Sequence, residues 1–229
     1  MRLLEIHRYP VKSMGGESLA EVEIDGRGLV GDRWFAVVDA EGHLASGKNN
    51  RRFRRHDAVF DFAATTGSDG VRVGRADGDE SWPVTDPALP ERLSGAFGVP
   101  VSIRAEDAVP HQDAGQLSLV GTASLAWCAE RWGGSPDPRR IRANLVVETD
   151  EPFVEDGWVG RQVEIGSSVL RVVGQVPRCR MIDLDQDGVV AGVGWLRPLG
   201  QERGTNLAVY ADVAEPGRLA IGDEVRLNG

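Results

Sequence analysis

The chain has 229 residues, 41% hydrophobic and 27% charged, enough to bury one large core or two modest ones. Its net charge of −9 argues against nonspecific nucleic-acid binding, which needs a basic footprint, and against docking on anionic membranes. The opening MRLLEIHRYP has no long apolar run, so no signal peptide or membrane span is expected, and two cysteines, Cys128 and Cys179, suit a reducing cytoplasm better than a disulfide scaffold.

Along the chain, the first hundred residues read as short strands separated by turns. LAEVEID, Leu19 to Asp25, alternates and leads into a Gly-rich turn. RWFAVVD, Arg33 to Asp39, is a strand; the turn AEGH and a second strand around His43 to Ser46 complete a hairpin. VRVGRADGDESWPV, Val71 to Val84, reads as another hairpin over an Asp-Gly turn. A helix is expected over Ala88 to Gly98, with a proline near its start and a glycine at its end. A second is expected from near Ser118 to Gly133, where Leu125, Cys128 and Trp132 share a face at i, i+3 and i+7. Gly133 to Arg140 is a loop. Strands return in IRANLVVE, RQVEIGSSVLRVVG, TNLAVYADV and IGDEVRL, with VEIG-SS-VLRVV as a hairpin. The fold class is mostly β (α+β), a barrel or folded sheet with a few helices, and a boundary between two β subdomains is expected near Pro100 to Pro110.

Several motifs resemble chemistry without its context. Gly26 to Gly31 fits GxGxxG, but a strand follows where a dinucleotide site needs a helix, so a tight β-turn is the better account. Asp183, Asp185, Asp187 and Gly188 open like an EF-hand loop, yet the twelfth position is Gly194 rather than glutamate, and a solvated acidic turn is expected. The four histidines show no zinc-ligand spacing, and no GxSxG nucleophile elbow occurs. The basic run Lys48, Arg51, Arg52, Arg54 and Arg55 is either a solvated strand edge or a mouth that attracts an anion. Cys128, on a helical apolar face, belongs to the core. Cys179 differs: it follows an apolar strand and a proline, between Arg178 and Arg180, and nearby cations favour the thiolate, the form that acts as nucleophile or soft-metal ligand. An ordinary exposed cysteine is the competing reading.

YPVKSMGG (Tyr9 to Gly16) and LVGDRWFAVVDAEG (Leu29 to Gly42), then IRANLVVE, EDGWVG and PRC (Pro177 to Cys179), then GTNLAVYADV leading to IGDEVRL, occur in an order and spacing that resembles the MOSC family, named for the C-terminal domain of molybdenum cofactor sulfurases. The chain also resembles the mitochondrial amidoxime-reducing proteins and their bacterial relatives. The resemblance covers almost the whole chain and implies a β-barrel MOSC domain over residues 106–229, preceded by an N-terminal β-barrel subdomain over residues 1–105. It implies molybdenum cofactor, with Cys179 as the protein ligand to the metal. It implies Lys12, Ser13, Arg33, Arg142 and Asn144 as cofactor-binding residues, types suited to phosphate and pterin polar groups. For Arg33 and Arg142 the competing role is a salt bridge with Asp32 or Glu148. Asp113 matches a family aspartate near the metal that could orient water or relay protons; a turn or capping role competes. Glu155 and Asp156 are read as structural.

The family's Arg-Pro-Asn triplet is Arg142-Ala143-Asn144 here, with both polar residues intact. The segment after the cysteine runs one residue shorter than in the amidoxime reducers, so Asp183, Asp185 and Asp187 stay outside the expected site. The resemblance thus implies a cytoplasmic, molybdenum-dependent oxidoreductase that reduces N-hydroxylated small molecules; pyridoxal phosphate binding is not expected. With two cysteines the chain cannot hold a four-cysteine iron–sulfur cluster, so electrons would come from a separate ferredoxin-, flavoprotein- or cytochrome-type protein. The alternatives are a sulfur or cofactor carrier, using a Cys179 persulfide or thiolate without turnover, and a binding domain that has lost the chemistry.

Overall fold

Strands with apolar side chains at every second position dominate the structure, a computed structural model that describes residues 1–108 and 110–228. The largest sheet has eight strands, in the order Val225–Asn228, Gln162–Ile165, Ser168–Pro177, Asn206–Glu215, Leu117–Gly121, Leu145–Val147, Leu3–Arg8 and Glu17–Leu19. All neighbours run antiparallel except Leu117–Gly121 beside Leu145–Val147. Alternation divides its two faces. Leu145 and Val147 join Leu3, Leu119, Val163, Leu170, Val209 and Val225 in one buried cluster. Val120 and Val146 point the other way, onto Leu125, Cys128 and Leu199 from two covering helices. Side chains from seven successive strands meet in the first cluster because the sheet curls. An Arg2–Glu224 bridge, with Leu3 N–H donating to Asp223 and Val225 N–H to Met1, both at 2.9 Å, joins its last strand to its first at one end without a full ladder.

The N-terminal half contributes a four-stranded sheet (Val101–Ala105, Phe35–Asp39, Leu44–Ser46, Phe53–Arg55) and a three-stranded one (Ser81–Pro83, Gly70–Arg75, Phe62–Gly67) around a second core that includes Val11, Met14, Phe60 and Leu93. Pairing crosses residue 105 in both directions: Leu3–Arg8 pairs with Leu145–Val147, and Gly217–Ala220 pairs with Glu21–Asp25. Tyr9 to Gly16 runs over the seam between the halves, fastened by Lys12 N–H to the Phe35 carbonyl and Gly15 N–H to the Phe62 carbonyl, both 2.8 Å.

The helix expected at Ala88 to Gly98 spans Leu89–Phe97 and ends on Gly98 at φ 69°, a left-handed conformation that glycine adopts without steric cost. The second begins later than expected. Ser118 lies in the strand Leu117–Gly121, and the helix covers Thr122–Trp132, because Leu117, Leu119 and Val120 supply both faces of a buried strand. A third helix, Leu196–Arg203, was not anticipated; Pro198 falls in its first turn, where a missing N–H does no harm. The 162–177 hairpin turns on Gly166 and Ser167 rather than on the two serines, since Gly166 takes φ 58°. The Gly26 to Gly31 segment includes a short strand and a turn with no helix after it, as expected.

The Asp183 to Gly188 segment differs from a merely solvated acidic turn. Asp183 accepts from Trp195 N–H (2.6 Å) and Leu196 N–H (3.1 Å) at the start of the third helix. Asp185 accepts from Ala191 N–H and Asp187 from Gly16 N–H, so the carboxylates fasten backbone. Cys128 is fully buried, and burial pushes its thiol up to about 12. No helix among the described residues is long and apolar enough to cross a membrane. Leu119, with no exposed surface in the centre of the curled sheet, tests this packing. Leu119→Ala should cost about 2–5 kcal/mol, read as a lower urea midpoint at unchanged slope, and a cost far below that would contradict a sealed interior.

Candidate functional site

A cleft of about 340 Å3 opens between the two halves, and all seven residues singled out from sequence line it: Lys12, Ser13, Arg33, Asp113, Arg142, Asn144 and Cys179. Small-molecule sites commonly have about 300–1,000 Å3. Seven basic residues and one acidic one, Asp113, line this space in a chain of net charge −9; one of them, Arg140, has its guanidinium bonded to the Ile182 and Val193 carbonyls beside Asp183.

The floor is built on Asp32, which is fully buried. One of its carboxylate oxygens accepts from Tyr9 N–H at 2.8 Å and the other pairs with Arg33 Nη1. Arg33 also reaches Asn144 Oδ1 at 3.3 Å and stacks over the Tyr9 ring at 5.2 Å. Burial opposes the Arg33 charge, but Asp32 and Asp113 more than offset it and raise its pKa. The salt bridge weighed for Arg33 therefore exists, and the residue faces the cleft as well. Asn144 is held at both ends of its amide: Oδ1 accepts from Ser118 N–H (3.1 Å), and Nδ2 donates to the His7 carbonyl (3.1 Å). Ser13 likewise donates its hydroxyl to the Ala45 carbonyl at 3.1 Å.

Arg142 has no such counterion. Glu148 is not its partner; Nη1 donates to the Met14 carbonyl at 2.7 Å, the guanidinium lies 4.1 Å from the centre of the Tyr9 ring, and Nη2 is buried with no hydrogen-bond partner. Burial lowers its pKa. Arg178, which sequence reading noted only as a neighbour of the cysteine, also lines the cleft. It donates to the Ile141 carbonyl at 2.7 Å and the Leu207 carbonyl at 2.6 Å, and burial lowers its pKa to about 10. Among the described residues, neither Arg142 nor Arg178 has a carboxylate within 4.0 Å. Carbonyl dipoles hold these cations in place without cancelling their charge.

Lys12 donates from Nζ to the His111 carbonyl at 2.5 Å and lies 3.3 Å from Asp113 Oδ1. Burial lowers its pKa from the ordinary 10.5 to about 8 despite Asp113. Asp113 is 44% exposed; burial would raise its pKa, but Lys12, Lys48 and Arg33 hold its carboxyl well below the usual carboxylate range. It is an acceptor at neutral pH. The basic run splits: Lys48 and Arg52 line the cleft, whereas Arg54 pairs with Glu41 and Arg55 with Asp57. Glu155 is fully buried and accepts from Gly121 N–H and Ser124 Oγ, and Asp156 pairs with Arg203, so both are structural as expected.

Cys179 follows the strand Ser168–Pro177 and precedes a short 3₁₀ turn, half-buried at the cleft wall. Register shifts at Val172/Gly174 and Gln175/Pro177, with Ala208 at φ 74° on the neighbouring strand, bend the strand end there. Arg180, on its other side, is taken up by Asp57 at 2.8 Å. Of the two arginines beside the cysteine, only Arg178 directs its charge into the cleft.

The chain has two lysines, which makes the burial of Lys12 measurable. NMR of 13Cε-labelled lysine, assigned through Lys12→Arg, should give a midpoint near 8 for Lys12. In Asp113→Asn the midpoint should fall further, because the carboxylate that favours the charged form is gone. An unfolded lysine keeps its proton to about 10.5, so the unfolded chain binds more protons between these values, and the contribution of this group to stability should rise with pH from 8 to 10.5. A Lys12 midpoint at the ordinary value would contradict the burial.

A family model described as the MOSC domain matches residues 106–226, and one described as the MOSC N-terminal beta barrel domain matches residues 1–84. The chain is 40% identical to a molybdenum cofactor sulfurase of Danio rerio, over 88% of this chain and 30% of that protein. It is 29% identical to one of Anopheles gambiae, over 93% of this chain and 34% of that protein. The chain thus spans about a third of the length of these relatives. The crystal structure of the YuaD protein from Bacillus subtilis has a similar fold, with a TM-score of 0.52 at 15% identity over 99% of this chain and 94% of that one. With more than half of its residues matched by the MOSC domain model, the chain belongs to the MOSC domain family.

Proposed function

We propose that the cleft binds molybdenum cofactor, with Cys179 as the protein ligand to the metal. The observation that carries this reading is the pair of buried arginines lining the cleft, Arg142 and Arg178, held by carbonyl groups and without a carboxylate partner, with Arg142 Nη2 left without a hydrogen bond. Burying a guanidinium N–H without a partner is costly, and an anionic ligand supplies the missing acceptor. The donor set fits the cofactor: cations for its phosphate, and a thiol beside them for a metal that takes sulfur ligands. Lys12, Arg33, Arg142 and Arg178 would hold the anionic part, with Lys48 and Arg52 at the mouth. Ser13 and Asn144, already engaged, would hold the Tyr9 to Gly16 segment and Arg33 in position.

We infer further that the protein is an oxidoreductase acting on N-hydroxylated small molecules. When bound, the cofactor supplies two-electron oxygen-atom chemistry. The balance is R–NHOH + 2 e⁻ + 2 H⁺ → R–NH2 + H2O, with electrons from a separate ferredoxin-, flavoprotein- or cytochrome-type donor. Of the chain's own groups, Asp113 remains ionised and can orient a donor such as water or a substrate N–H, while Lys12 Nζ can hold a proton near neutrality. A second reading, a sulfur or cofactor carrier with a persulfide on Cys179, is supported by the relatives' description as molybdenum cofactor sulfurases.

Elemental analysis of protein from a cofactor-producing host should find molybdenum approaching one per chain in the wild type and little in Cys179→Ser. Arg142→Met should lower cofactor affinity by about 2–5 kcal/mol. Loaded protein with an artificial reductant should reduce an N-hydroxylated test compound. Protein without molybdenum, carrying the mass of one added sulfur on Cys179, would replace this reading with the carrier.

A further inference from the structure

The cations of the cleft gather around two aromatic rings. Arg33 and Arg142 lie 5.2 and 4.1 Å from the centre of the Tyr9 ring. Lys12, Lys48 and Arg52 lie 4.8, 4.7 and 5.0 Å from the centre of the Phe53 ring, which is buried at the start of the strand Phe53–Arg55. A turn fixed by Asn50 carries this second group: its Oδ1 accepts from Arg52 N–H at 2.8 Å and from Phe53 N–H at 2.9 Å. An aromatic face attracts each cation, but three positive charges around one ring also repel one another.

Asp113 meets only part of that charge. Its Oδ1 lies 3.3 Å from Lys12 Nζ and 3.5 Å from Lys48 Nζ, so one carboxylate serves two ammonium groups. Arg52 pairs with no carboxylate among the described residues. Its Nη2 donates to the Gln112 carbonyl at 3.2 Å and to the Pro110 carbonyl, and its Nε is buried without a hydrogen bond. Elsewhere in the lining, Arg33 is balanced by Asp32 and Arg140 lies beside Asp183. Lys12, Lys48, Arg52, Arg142 and Arg178 remain, five cations against the one carboxylate of Asp113, an excess of four. A phosphate monoester carries about −1.5 to −2 near neutral pH and so does not match that excess. The surplus lies outward: the Lys48 side chain is 34% exposed and that of Lys12 5%. We propose, resting on the cofactor reading above, that Lys48 and Arg52 form an outer anion subsite for the substrate, so that the N-hydroxylated compounds taken by this cleft carry a carboxylate or phosphate remote from the N–O bond. Holding the remote acid at the mouth orients the N–O group toward the Cys179 wall, and the binding energy of the charged end serves to place the reacting end.

The test uses wild type, Lys48→Gln, Lys48→Glu and Arg52→Gln from a cofactor-producing host. Each is assayed for molybdenum, then titrated by calorimetry without reductant, so that binding is read without turnover. The ligands are N-hydroxybenzamidine and its 4-carboxy and 4-phosphonooxy derivatives. In loaded wild type an acidic derivative should bind on the order of tenfold tighter than the neutral parent, and the tighter of the two tells carboxylate from phosphate. The advantage should shrink as salt rises. It should be lost in Lys48→Gln and inverted in Lys48→Glu, with molybdenum content at the wild-type level. Arg52→Gln should act as Lys48→Gln does; it also loses two carbonyl bonds, and the Lys48 variants carry the test should it fail to fold. Equal affinity for all three ligands in loaded wild type would overturn the subsite and leave the cofactor reading standing. Loss of molybdenum together with the advantage in Lys48→Gln would assign that lysine to the cofactor and overturn the subsite too. Wild type without molybdenum would overturn the cofactor reading, and the subsite with it.

Discussion

A single buried carboxylate, Asp32, organises the cleft. It receives the Tyr9 amide with one oxygen and Arg33 with the other, and Arg33 passes the link on to Asn144, whose amide also holds Ser118 and His7. These residues come from both halves of the chain. Breaking a buried pair costs several kcal/mol because the remaining charge cannot reach water. Loss of Asp32 would therefore loosen Arg33 and the seam together. Because Asp32 is committed to Arg33, the second guanidinium on the Tyr9 ring, Arg142, is left without an anion. The positive character of the cleft follows from that unequal division.

Backbone strain accumulates at the same place. Ser13, Arg33 and Arg142 take φ of 68°, 53° and 55°, conformations that cost residues other than glycine about 1–3 kcal/mol each. Hydrogen bonds from Arg33 N–H to the Tyr9 carbonyl (2.8 Å) and from Arg142 N–H to the Arg139 carbonyl (3.1 Å) hold two of these turns. The strain turns their side chains toward one cavity from separate elements. A site maintained against local preference is preorganised: its cations need not reorder when an anion arrives.

Strands were legible in the sequence wherever alternation was clean, as in Val71 to Val84, and the first helix was legible from Pro90 and Gly98. Ser118 was misassigned because a buried strand and a buried helix face look alike over five residues. Leu196–Arg203 was hidden by Pro198 and Gly200, which read as breakers unless the helix start is known. The interlaced termini could not be read at all, since pairing of residue 6 with residue 145 leaves no local trace. In the site, the resemblance gathered seven residues that line one cleft, and the residues alone had separated Cys179 from Cys128. Two properties stayed hidden: that Arg178 turns inward while Arg180 is taken by Asp57, and that Lys48 and Arg52 leave the rest of the basic run. Both depend on partners more than a hundred residues away or on which edge of a strand faces the cavity.

The acidic surface and the basic cleft work together. A chain of net charge −9 repels polyanions at long range, where their many phosphates meet the whole molecule. Over a few ångströms the low-dielectric walls let Arg142, Arg178 and Lys12 dominate, beyond the reach of a screened surface field whose Debye length is about 8 Å at physiological salt. A small anion inside the cavity would meet these cations within a few ångströms, whereas a large polyanion would meet the net negative charge of the whole chain. Carbonyl groups hold Arg142 and Arg178, so their charge is not spent before a ligand arrives. The composition that argues against polyanion binding thus coexists with a cleft whose lining is basic.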